Sequence, residues 1–263
     1  MHSARWLSSN PEKAWAERWF LGYSAAWMLA VALVIVTGWI HTWGDLGYLL
    51  FSLGLGAAAI VGPWLWPGRP DRHRPPWQCW WLKLNAWVAV LVVFGTYFGT
   101  HYFFDLMGMR YGFPVTWTLQ AAGVGHSQQT VPVFMYPLTQ AYFVTYFVAA
   151  PIALRRLEGV LGRGILVRVV VVVALAYGIA WMETFTMANE GLSAYFEYTE
   201  REKMLAFGSL GYAAYFVVGL PLVRRIDEGG EPWPLSRVLV EALAASMLIL
   251  FLLDAWATLV GPL

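Results

Sequence analysis

Three ionisable side chains lie inside segments that are apolar enough to cross a lipid bilayer. Glu183 lies within ILVRVVVVVALAYGIAWMETFTMAN, Asp254 within MLILFLLDAWATLV, and His101 within WVAVLVVFGTYFGTHYFF. A charged side chain at the centre of a membrane helix costs about 2.5–3.5 kcal/mol on insertion scales, and such residues usually face the protein interior and carry function. We therefore treat these three as candidate catalytic residues.

Glu183 is the strongest of the three candidates. An apolar environment disfavours the ionised form of a carboxyl group, which makes Glu183 an acid that can donate a proton near neutral pH. The alternative is a structural hydrogen bond to a neighbouring helix. The same two interpretations apply to Asp254, which lies near the end of its segment.

A further polar set surrounds His101 in the sequence. Tyr97, His101 and Asp105 have the spacing i, i+4 and i+8, which places them on one face of an α-helix. On that face, the phenol and the carboxylate would hold the imidazole ring in one tautomer, ready to act as an acid or a base. The alternative is that Asp105 lies among the lipid headgroups, because the break MGMRYGFP follows it.

Aromatic side chains and one loop histidine are candidates for substrate binding. The aromatic side chains expected to line an apolar pocket, with π faces that stabilise a developing cation, are Tyr102, Trp181, Tyr215 and Trp256. The alternative is an aromatic belt at the membrane interface. His126 lies in the loop QAAGVGHSQQT, and loops beside a pocket often carry function, although a lone loop histidine is usually a surface residue.

The composition is that of an integral membrane protein. Of the 263 residues, 59% are hydrophobic and only 13% charged, whereas soluble domains have roughly 25% charged residues. A formal net charge of +1 leaves no basic surface for nucleic acid, so membrane lipids are the expected surroundings. Cys79 is the single cysteine and no two histidines have ligand spacing on a helix, so we predict no metal and no other cofactor.

Seven apolar segments of about 20 residues predict an all-α fold, a single seven-transmembrane-helix bundle over residues 1–263. Breaks rich in proline, glycine and charged residues separate the segments. A short helix capped by Asn10 is expected before the first of them. The predicted spans are residues 19–40, 46–66, 80–106, 131–153, 165–188, 204–223 and 238–260.

Lysine and arginine are distributed unevenly over the breaks between the spans. If the N-terminus is cytoplasmic, 14 of the 17 lie on the cytoplasmic side and three on the other. This asymmetry fits the positive-inside rule and predicts a cytoplasmic N-terminus. The three ionisable side chains then all lie in the outer halves of odd-numbered spans, which predicts one shared pocket between the third, fifth and seventh spans.

Several phrases of the sequence resemble, in the same order, those of the cycloeucalenol cycloisomerase family, the cyclopropyl sterol isomerases best known from plants. The matching stretches cover nearly the whole chain and are NPEKAW, THYFFDLMGMRYGFP, LRRL, YGIAWMET, GYAAYFVVGLPLVRRIDE and WPLSRVLVEALAASMLILFLLDAWATLVGP. The resemblance implies a membrane isomerase of sterol biosynthesis whose substrate is a sterol lipid. The motif positions that it marks are His101, Tyr102, Glu183, Asp227, Glu228, Arg237, Asp254 and Trp256.

The implied reaction opens the 9β,19-cyclopropane ring of a cyclosterol such as cycloeucalenol or cycloartenol and leaves an 8,9 double bond. An acid protonates the ring methylene, positive charge develops at C9, and a base removes the proton from C8. Because no redox change occurs, the reaction needs no nicotinamide, flavin or metal. Either Glu183 performs both transfers, or Glu183 donates and a neutral His101 accepts; on sequence alone we favour the second scheme.

The sequence departs from the family pattern between residues 118 and 145, where further histidines are expected. His126 is the one candidate that remains, and Gln140 lies near an expected histidine, which leaves the accepted sterol open. The alternative functions are a sterol double-bond isomerase, or a non-catalytic transporter or lipid-binding protein. We expect a bacterial-type homologue in a cell inner membrane, or the endoplasmic reticulum if the source is eukaryotic; the oligomeric state is not predicted.

Overall fold

Seven long apolar helices make up most of the computed structural model, which describes residues 6–120, 130–162, 164–229 and 231–263. The helices contain 19–27 residues each, with mean hydropathy between 1.3 and 2.3. At about 1.5 Å per residue, these lengths match the roughly 30 Å hydrocarbon core of a bilayer. The prediction of a helical bundle with seven spans is confirmed.

Each span is built from one or more regular elements. The seven spans are Pro11–Val36, Asp45–Leu65, Trp80–Phe98, Met135–Leu161, Ile165–Met187, Arg201–Arg225 and Leu235–Val260. The α-helices are α1 (Pro11–Val36), α2 (Asp45–Leu65), α3 (Trp80–Val93), α4 (Met135–Leu161), α5 (Ile165–Met187), α6 (Arg201–Lys203), α7 (Ser209–Tyr212), α8 (Ala214–Arg225) and α9 (Leu235–Val260). The strands are β1 (Met109–Tyr111), β2 (Thr118–Gln120), β3 (Thr130–Pro132) and β4 (Phe196–Tyr198).

The first and fourth spans are longer than predicted. Asn10 caps α1 by accepting hydrogen bonds from the backbone N–H groups of Glu12 and Lys13 at 2.9 and 3.4 Å, as its residue type predicts. The short helix expected before the first span is continuous with it, because no helix-breaking residue separates the two. The fourth span likewise continues through the predicted break LRRLEG to Leu161, since leucine and arginine favour helix.

The third and sixth spans contain π-helical turns, which the sequence analysis did not predict. Phe94–Phe98 and Tyr102–Leu106 form two such turns on either side of Gly99, and Met204–Gly208 forms one at the start of the sixth span. A π turn contains one more residue than an α-helical turn and is frequent at functional sites. The third span therefore ends as a regular helix before the predicted residue 106.

Because of these π turns the segment with Tyr97, His101 and Asp105 is not a continuous α-helix, and the expected common face of the three residues stays a prediction. Two glycines, one inside the first turn and one between the turns, leave space for the Tyr215 ring. A Cβ atom at Gly95 would lie 2.9 Å from Cε1 of Tyr215, and one at Gly99 would lie 2.6 Å from the Tyr215 hydroxyl oxygen. Glycine at both positions lets the Tyr215 ring pack directly against the backbone of the third span.

The fourth span is the central helix of the bundle. α4 packs against α1, α2, α3, α5 and α8. Gly219 of α8 permits the closest approach, because a Cβ atom there would lie 2.6 Å from the Phe147 ring and 3.1 Å from the Trp87 ring. Trp87, Phe147 and Phe216 are buried, with ring centroids 4.9 and 5.8 Å apart. The core thus lies between the third, fourth and sixth spans.

Within the part of the chain that the structure describes, four short strands, which were not predicted, form two antiparallel sheets beyond one end of the bundle. β1 follows the third span and pairs with β4, which follows the fifth, with Arg110 opposite Glu197. β2 pairs with β3 within the connection between the third and fourth spans. We call this end of the bundle the Glu183 end, and the opposite end, where α1 begins, the Lys13 end.

Candidate active site

Glu183 lies on α5, about one turn before the helix ends, and its carboxyl group faces the fourth and sixth spans. The phenol of Tyr212, on α7, donates a hydrogen bond to Oε2 of Glu183 at 2.6 Å. Tyr146, on α4, also interacts with this carboxyl group. Hydrogen bonds to an ionised partner are short and roughly twice as strong as neutral ones. Three spans therefore meet at a carboxyl group whose partners are phenols.

Further tyrosines surround the same carboxyl group. Tyr111, Tyr142 and Tyr198 lie close enough to Glu183 to interact with it electrostatically. Burial raises the pKa of Tyr111 and of Tyr198, and the nearby Glu183 carboxyl adds to the effect, so both phenols stay protonated at neutral pH. We call the five residues the tyrosine cluster: Tyr111, Tyr142, Tyr146, Tyr198 and Tyr212.

The tyrosine cluster depends on several elements of the fold. Tyr142 and Tyr146 are one helical turn apart on α4, with ring centroids 5.9 Å apart. Tyr111 and Tyr198 belong to β1 and β4, which are paired in one sheet. The sheet therefore covers Glu183 from the loop side, while the two spans approach it from within the bundle.

His101 belongs to a second polar group, just beyond the end of the third span. Its Nδ1 atom is 3.0 Å from the backbone carbonyl oxygen of Phe98, which fixes Nδ1 as the protonated nitrogen and leaves Nε2 as an acceptor. The imidazole ring lies against the Tyr102 ring, with centroids 3.9 Å apart. The phenol of Tyr102 in turn reaches Oδ1 of Asp254 at 3.5 Å, at the limit of a hydrogen bond. Asp254 itself is exposed on α9.

Tyr215 and Trp256 connect the two polar groups through aromatic packing. Tyr215 is buried, and its hydroxyl group has no hydrogen-bond partner among the described residues. It lines a narrow crevice of about 170 Å³ of empty space between the third, sixth and seventh spans. Phe103 lies between Tyr212 and Tyr215, with ring centroids 5.3 and 6.0 Å away. Trp256 packs over Gly211, where a Cβ atom would lie 3.0 Å from its ring.

The remaining predicted site residues lie at the edge of these groups or outside them. Trp181 is 38% exposed and stacks on Phe185, with centroids 5.1 Å apart. Tyr97 is partly buried and packs edge-on against Phe98. Asp105 is exposed. His126 lies outside the described residues.

Among the described residues, α5 has no extensive contact with α3 or α9, the other two spans of the predicted pocket. α5 packs against α4, α7 and α8, whereas α3 packs against α4 and α9. The sixth span thus stands between Glu183 and the pair His101 and Asp254. Whether all three act on one substrate stays a prediction.

Two other motif positions, Asp227 and Glu228, form ion pairs at the Lys13 end. Lys83 and Asp227 form a buried pair at 2.6 Å, in which each side chain is at most 2% exposed. Lys13 pairs with Glu228 at 2.7 Å and also donates to the backbone carbonyl oxygens of Arg224 and Ile226. The family-like phrases NPEKAW and RRIDE therefore meet in space, where they join α1 to the connection between the sixth and seventh spans.

Arg237 and Gln140 also have structural contacts. The Arg237 guanidinium lies 3.9 Å from the centroid of the Trp233 ring, within cation–π distance. Gln140 is buried, and its Nε2 donates to the backbone oxygen and to Oδ1 of Asn85, both at 3.1 Å. The residue near the expected histidine thus links the fourth span to the third.

The carboxyl group was detectable from the sequence, but its partners were not. Glu183 interrupts a long apolar run, which is a strong signal. Tyr212 and Tyr146 lie in spans where tyrosine is common, so neither stands out. Within the described residues, no group of three His, Cys, Asp or Glu side chains is placed to hold a metal ion.

Seven apolar spans around a carboxyl group held by phenols indicate a multi-pass integral membrane protein. The chain is 37% identical to the cycloeucalenol cycloisomerase of Arabidopsis thaliana in an alignment 269 residues long. The alignment covers 98% of this chain and 90% of that protein. The chain therefore belongs to the cycloeucalenol cycloisomerase family, as its phrases predicted, and is a homologue of a sterol isomerase. No family model and no solved structure matches it.

Proposed function

We propose that this protein is a cofactor-free isomerase that opens the 9β,19-cyclopropane ring of a cyclosterol and produces an 8,9-unsaturated sterol. The observation that carries the proposal is the 2.6 Å hydrogen bond between Tyr212 and Glu183 within the membrane-spanning region. The relationship to a cycloeucalenol cycloisomerase supports the reaction type. Cycloeucalenol and cycloartenol are the substrates to test first.

Glu183 has the properties that the first step requires. To open a cyclopropane, an acid must deliver a proton to a hydrocarbon, and a neutral carboxylic acid in an apolar setting is such a donor. The described partners of Glu183 are phenols rather than lysine or arginine. A basic partner would favour the carboxylate and remove the acid proton. Phenols also donate to the carboxylate, but they carry no charge and therefore favour it less than a cation would.

The reaction conserves all atoms of the substrate. The C9–C19 bond breaks, its electron pair binds the incoming proton at C19, and positive charge remains at C9. Loss of the proton from C8 then leaves its electron pair as the 8,9 double bond. The aromatic rings of the tyrosine cluster and of Phe103 present π faces near Glu183, and such faces stabilise a cation.

The sterol would bind between Glu183 and the aromatic side chains of the sixth and seventh spans, with Tyr102, Tyr215 and Trp256 as contacts. The crevice beside Tyr215 has essentially no room for even a water molecule. Ligand pockets commonly enclose roughly 300–1,000 Å³. Sterol binding therefore requires side chains or connections at the Glu183 end to move.

The proposal is tested by product analysis. Membranes that contain the protein are incubated with cycloeucalenol or cycloartenol, and membranes without it serve as the control. We expect an 8,9-unsaturated product of unchanged mass, resolved from the substrate by gas chromatography and mass spectrometry. Conversion of an unsaturated sterol without cyclopropane opening would identify a double-bond isomerase instead, and no conversion of either kind would contradict the proposal.

A further inference from the structure

We propose that Glu183 performs both proton transfers, and that Tyr212 and Tyr146 are positioning residues that hold its carboxylate between the two steps. This inference rests on the proposed function and assigns the base that the reaction type leaves open. It differs from the two-residue scheme favoured on sequence, in which His101 accepts the proton from C8.

The first argument is the arrangement of the two phenols. Tyr212 donates to Oε2 of Glu183 at 2.6 Å, which leaves Oε1 to carry the acid proton. Tyr146 approaches the same carboxyl group from α4. After Glu183 has given its proton away, both phenols can donate to the carboxylate, and hydrogen bonds to a charged acceptor are the strong ones. The pair therefore stabilises the intermediate more than the resting state.

The second argument is the position of His101. Its Nδ1 hydrogen bond ends on the carbonyl oxygen of Phe98, and its ring lies against Tyr102. Tyr102 reaches Asp254, so His101 belongs to the group between the third and seventh spans. None of the described hydrogen bonds joins that group to Glu183. The imidazole therefore does not share the hydrogen-bonded environment of the carboxyl group.

The positions of the two reacting carbon atoms also favour a single acid–base residue. The proton leaves Glu183 for C19, and the proton to be removed is on C8, which is bonded to the cationic C9. The carboxylate therefore lies beside the cation that it has just created. When it takes the proton from C8, the C–H electron pair becomes the double bond and the carboxylic acid is regenerated. The cycle needs no second base and no exchange with solvent.

The decisive experiment compares four variants in steady-state isomerisation: Glu183→Gln, Tyr212→Phe, Tyr177→Phe and His101→Gln. Tyr177 is the matched control, because it lies on α5, the helix that carries Glu183. Its phenol donates to the backbone carbonyl oxygen of Leu205 in the sixth span at 3.4 Å. We expect Tyr212→Phe to lower kcat roughly 10- to 100-fold with KM within threefold, as for loss of a hydrogen bond to a charged group. Tyr177→Phe should stay within about twofold.

His101→Gln distinguishes the two schemes. If Glu183 is the only base, this variant should lose less than about tenfold in kcat, below the usual contribution of an acid–base residue. A His101 variant that binds sterol but is as inactive as Glu183→Gln would overturn the inference, as would a Tyr212→Phe variant with unchanged kcat. If the wild-type protein forms no product, that result contradicts the proposed function, and it is distinct from the variant results that would overturn the inference about the base.

A spectroscopic measurement tests the role of Tyr212 without turnover. The infrared carbonyl band of protonated Glu183 is identified as the band missing from Glu183→Gln. Tyr212→Phe should shift that band to higher frequency, because the lost phenol no longer weakens the C=O bond, and Tyr177→Phe should leave it in place. A band that is unchanged in Tyr212→Phe would show that the phenol does not hold the carboxyl group and would overturn the inference.

Discussion

At the scale of single residues, the proposed proton transfers depend on the chemical setting of Glu183. A carboxyl group near the end of α5 is surrounded by phenols from two other spans and from two strands. Phenols can donate to either protonation state of a carboxyl group, so they permit a proton to leave and return. A salt bridge would not permit this, because it stabilises one state only.

Replacement of Glu183 by glutamine keeps the size of the side chain and its hydrogen bonding but removes the exchangeable proton. We expect the turnover of Glu183→Gln to fall by about 10²- to 10⁴-fold, the usual contribution of a general acid or base. The measurement is the initial rate of cyclosterol conversion in membranes with equal amounts of folded protein. Glu190→Gln is the matched control, because Glu190 is exposed just beyond the same helix. Near-wild-type turnover of Glu183→Gln would exclude this residue from the mechanism.

Of the residues at the candidate site, the sequence predicted Glu183 but not its partners. Glu183 was found because a carboxyl group in an apolar run is costly and therefore informative. Tyr212 was not assigned to it, because the two are 29 positions apart and only the packing of α7 against α5 brings them together. Asp254 was predicted beside Glu183; in the structure it is exposed and lies near Tyr102, and its placement beside Glu183 stays a prediction.

At the scale of elements, buried ion pairs join the first, third and sixth spans at the Lys13 end. Lys83 on α3 pairs with Asp227, whose backbone has a φ of 52°, in the left-handed region. The Asp227 carboxylate also accepts from the backbone N–H of Trp233 at 2.7 Å. These contacts fix the turn that follows the sixth span and therefore the position of that span, which carries Tyr212.

Removal of Lys83 should destabilise the protein strongly. In Lys83→Met the Asp227 carboxylate is left buried without its cation, and breaking a buried pair in this way costs about 3–5 kcal/mol. The measurement is the free energy of unfolding in detergent by titration with a denaturing surfactant. Lys203→Met is the control, since Lys203 and Glu200 form an exposed pair at 3.7 Å, and such pairs contribute little. Equal stability of the two variants would contradict the structural role of the Lys83 pair.

Glu228 gives the same network a dependence on pH. Burial alone would raise the pKa of Glu228, but Lys13 and Arg155 outweigh it and hold the pKa below the ordinary value of 4.5. A carboxyl group whose pKa is lower in the folded state stabilises the protein above its unfolded pKa, and the contribution is lost as pH falls through the folded pKa. Glu228→Gln should therefore be less stable than wild type at neutral pH.

The test of this pH dependence is the stability difference between wild type and Glu228→Gln, measured from neutral pH to below pH 4.5. The stability difference between the two proteins should be constant near neutral pH. It should shrink as the pH falls below the pKa that Glu228 has in the unfolded chain. A difference that grows on acidification would show that Glu228 is not held as a carboxylate by Lys13 and Arg155.

Element boundaries were the least predictable part of the fold. The apolar runs predicted seven spans correctly, because length and hydropathy decide whether a helix crosses a bilayer. The π turns beside Gly99 were missed, because they depend on how Tyr215 packs against the glycines of another span. The strands β1 and β4 are only three residues long. They pair between the connection after the third span and the connection after the fifth, so no local sequence pattern predicts them.

At the scale of the whole molecule, the two ends of the bundle differ in character. The Lys13 end holds the buried lysines and their acidic partners, and the Glu183 end holds the strands and the tyrosine cluster. The positive-inside rule counts lysine and arginine rather than net charge, so pairing with acids does not change the predicted orientation. The Lys13 end is therefore predicted to face the cytoplasm.

Cysteines introduced one at a time test this orientation in intact cells. Thr42→Cys, in the connection after the first span, should react with a membrane-impermeant thiol reagent, and Val160→Cys, at the end of α4, should be protected. The native thiol should not interfere, since Cys79 is buried and burial raises its pKa to about 11. Protection of residue 42 together with labelling of residue 160 would reverse the predicted topology.

The most direct test of the central claim is the fate of solvent hydrogen during ring opening. Membranes containing the protein are equilibrated in deuterated buffer and then mixed with an unlabelled cyclosterol, and the position of deuterium in the product is read by mass spectrometry and NMR. Because Glu183 exchanges its acid proton with solvent before the substrate binds, the account predicts one deuterium in the new C19 methyl group in the first turnover. An 8,9-unsaturated product with no deuterium at C19 in that turnover would contradict proton donation by an exchangeable acid.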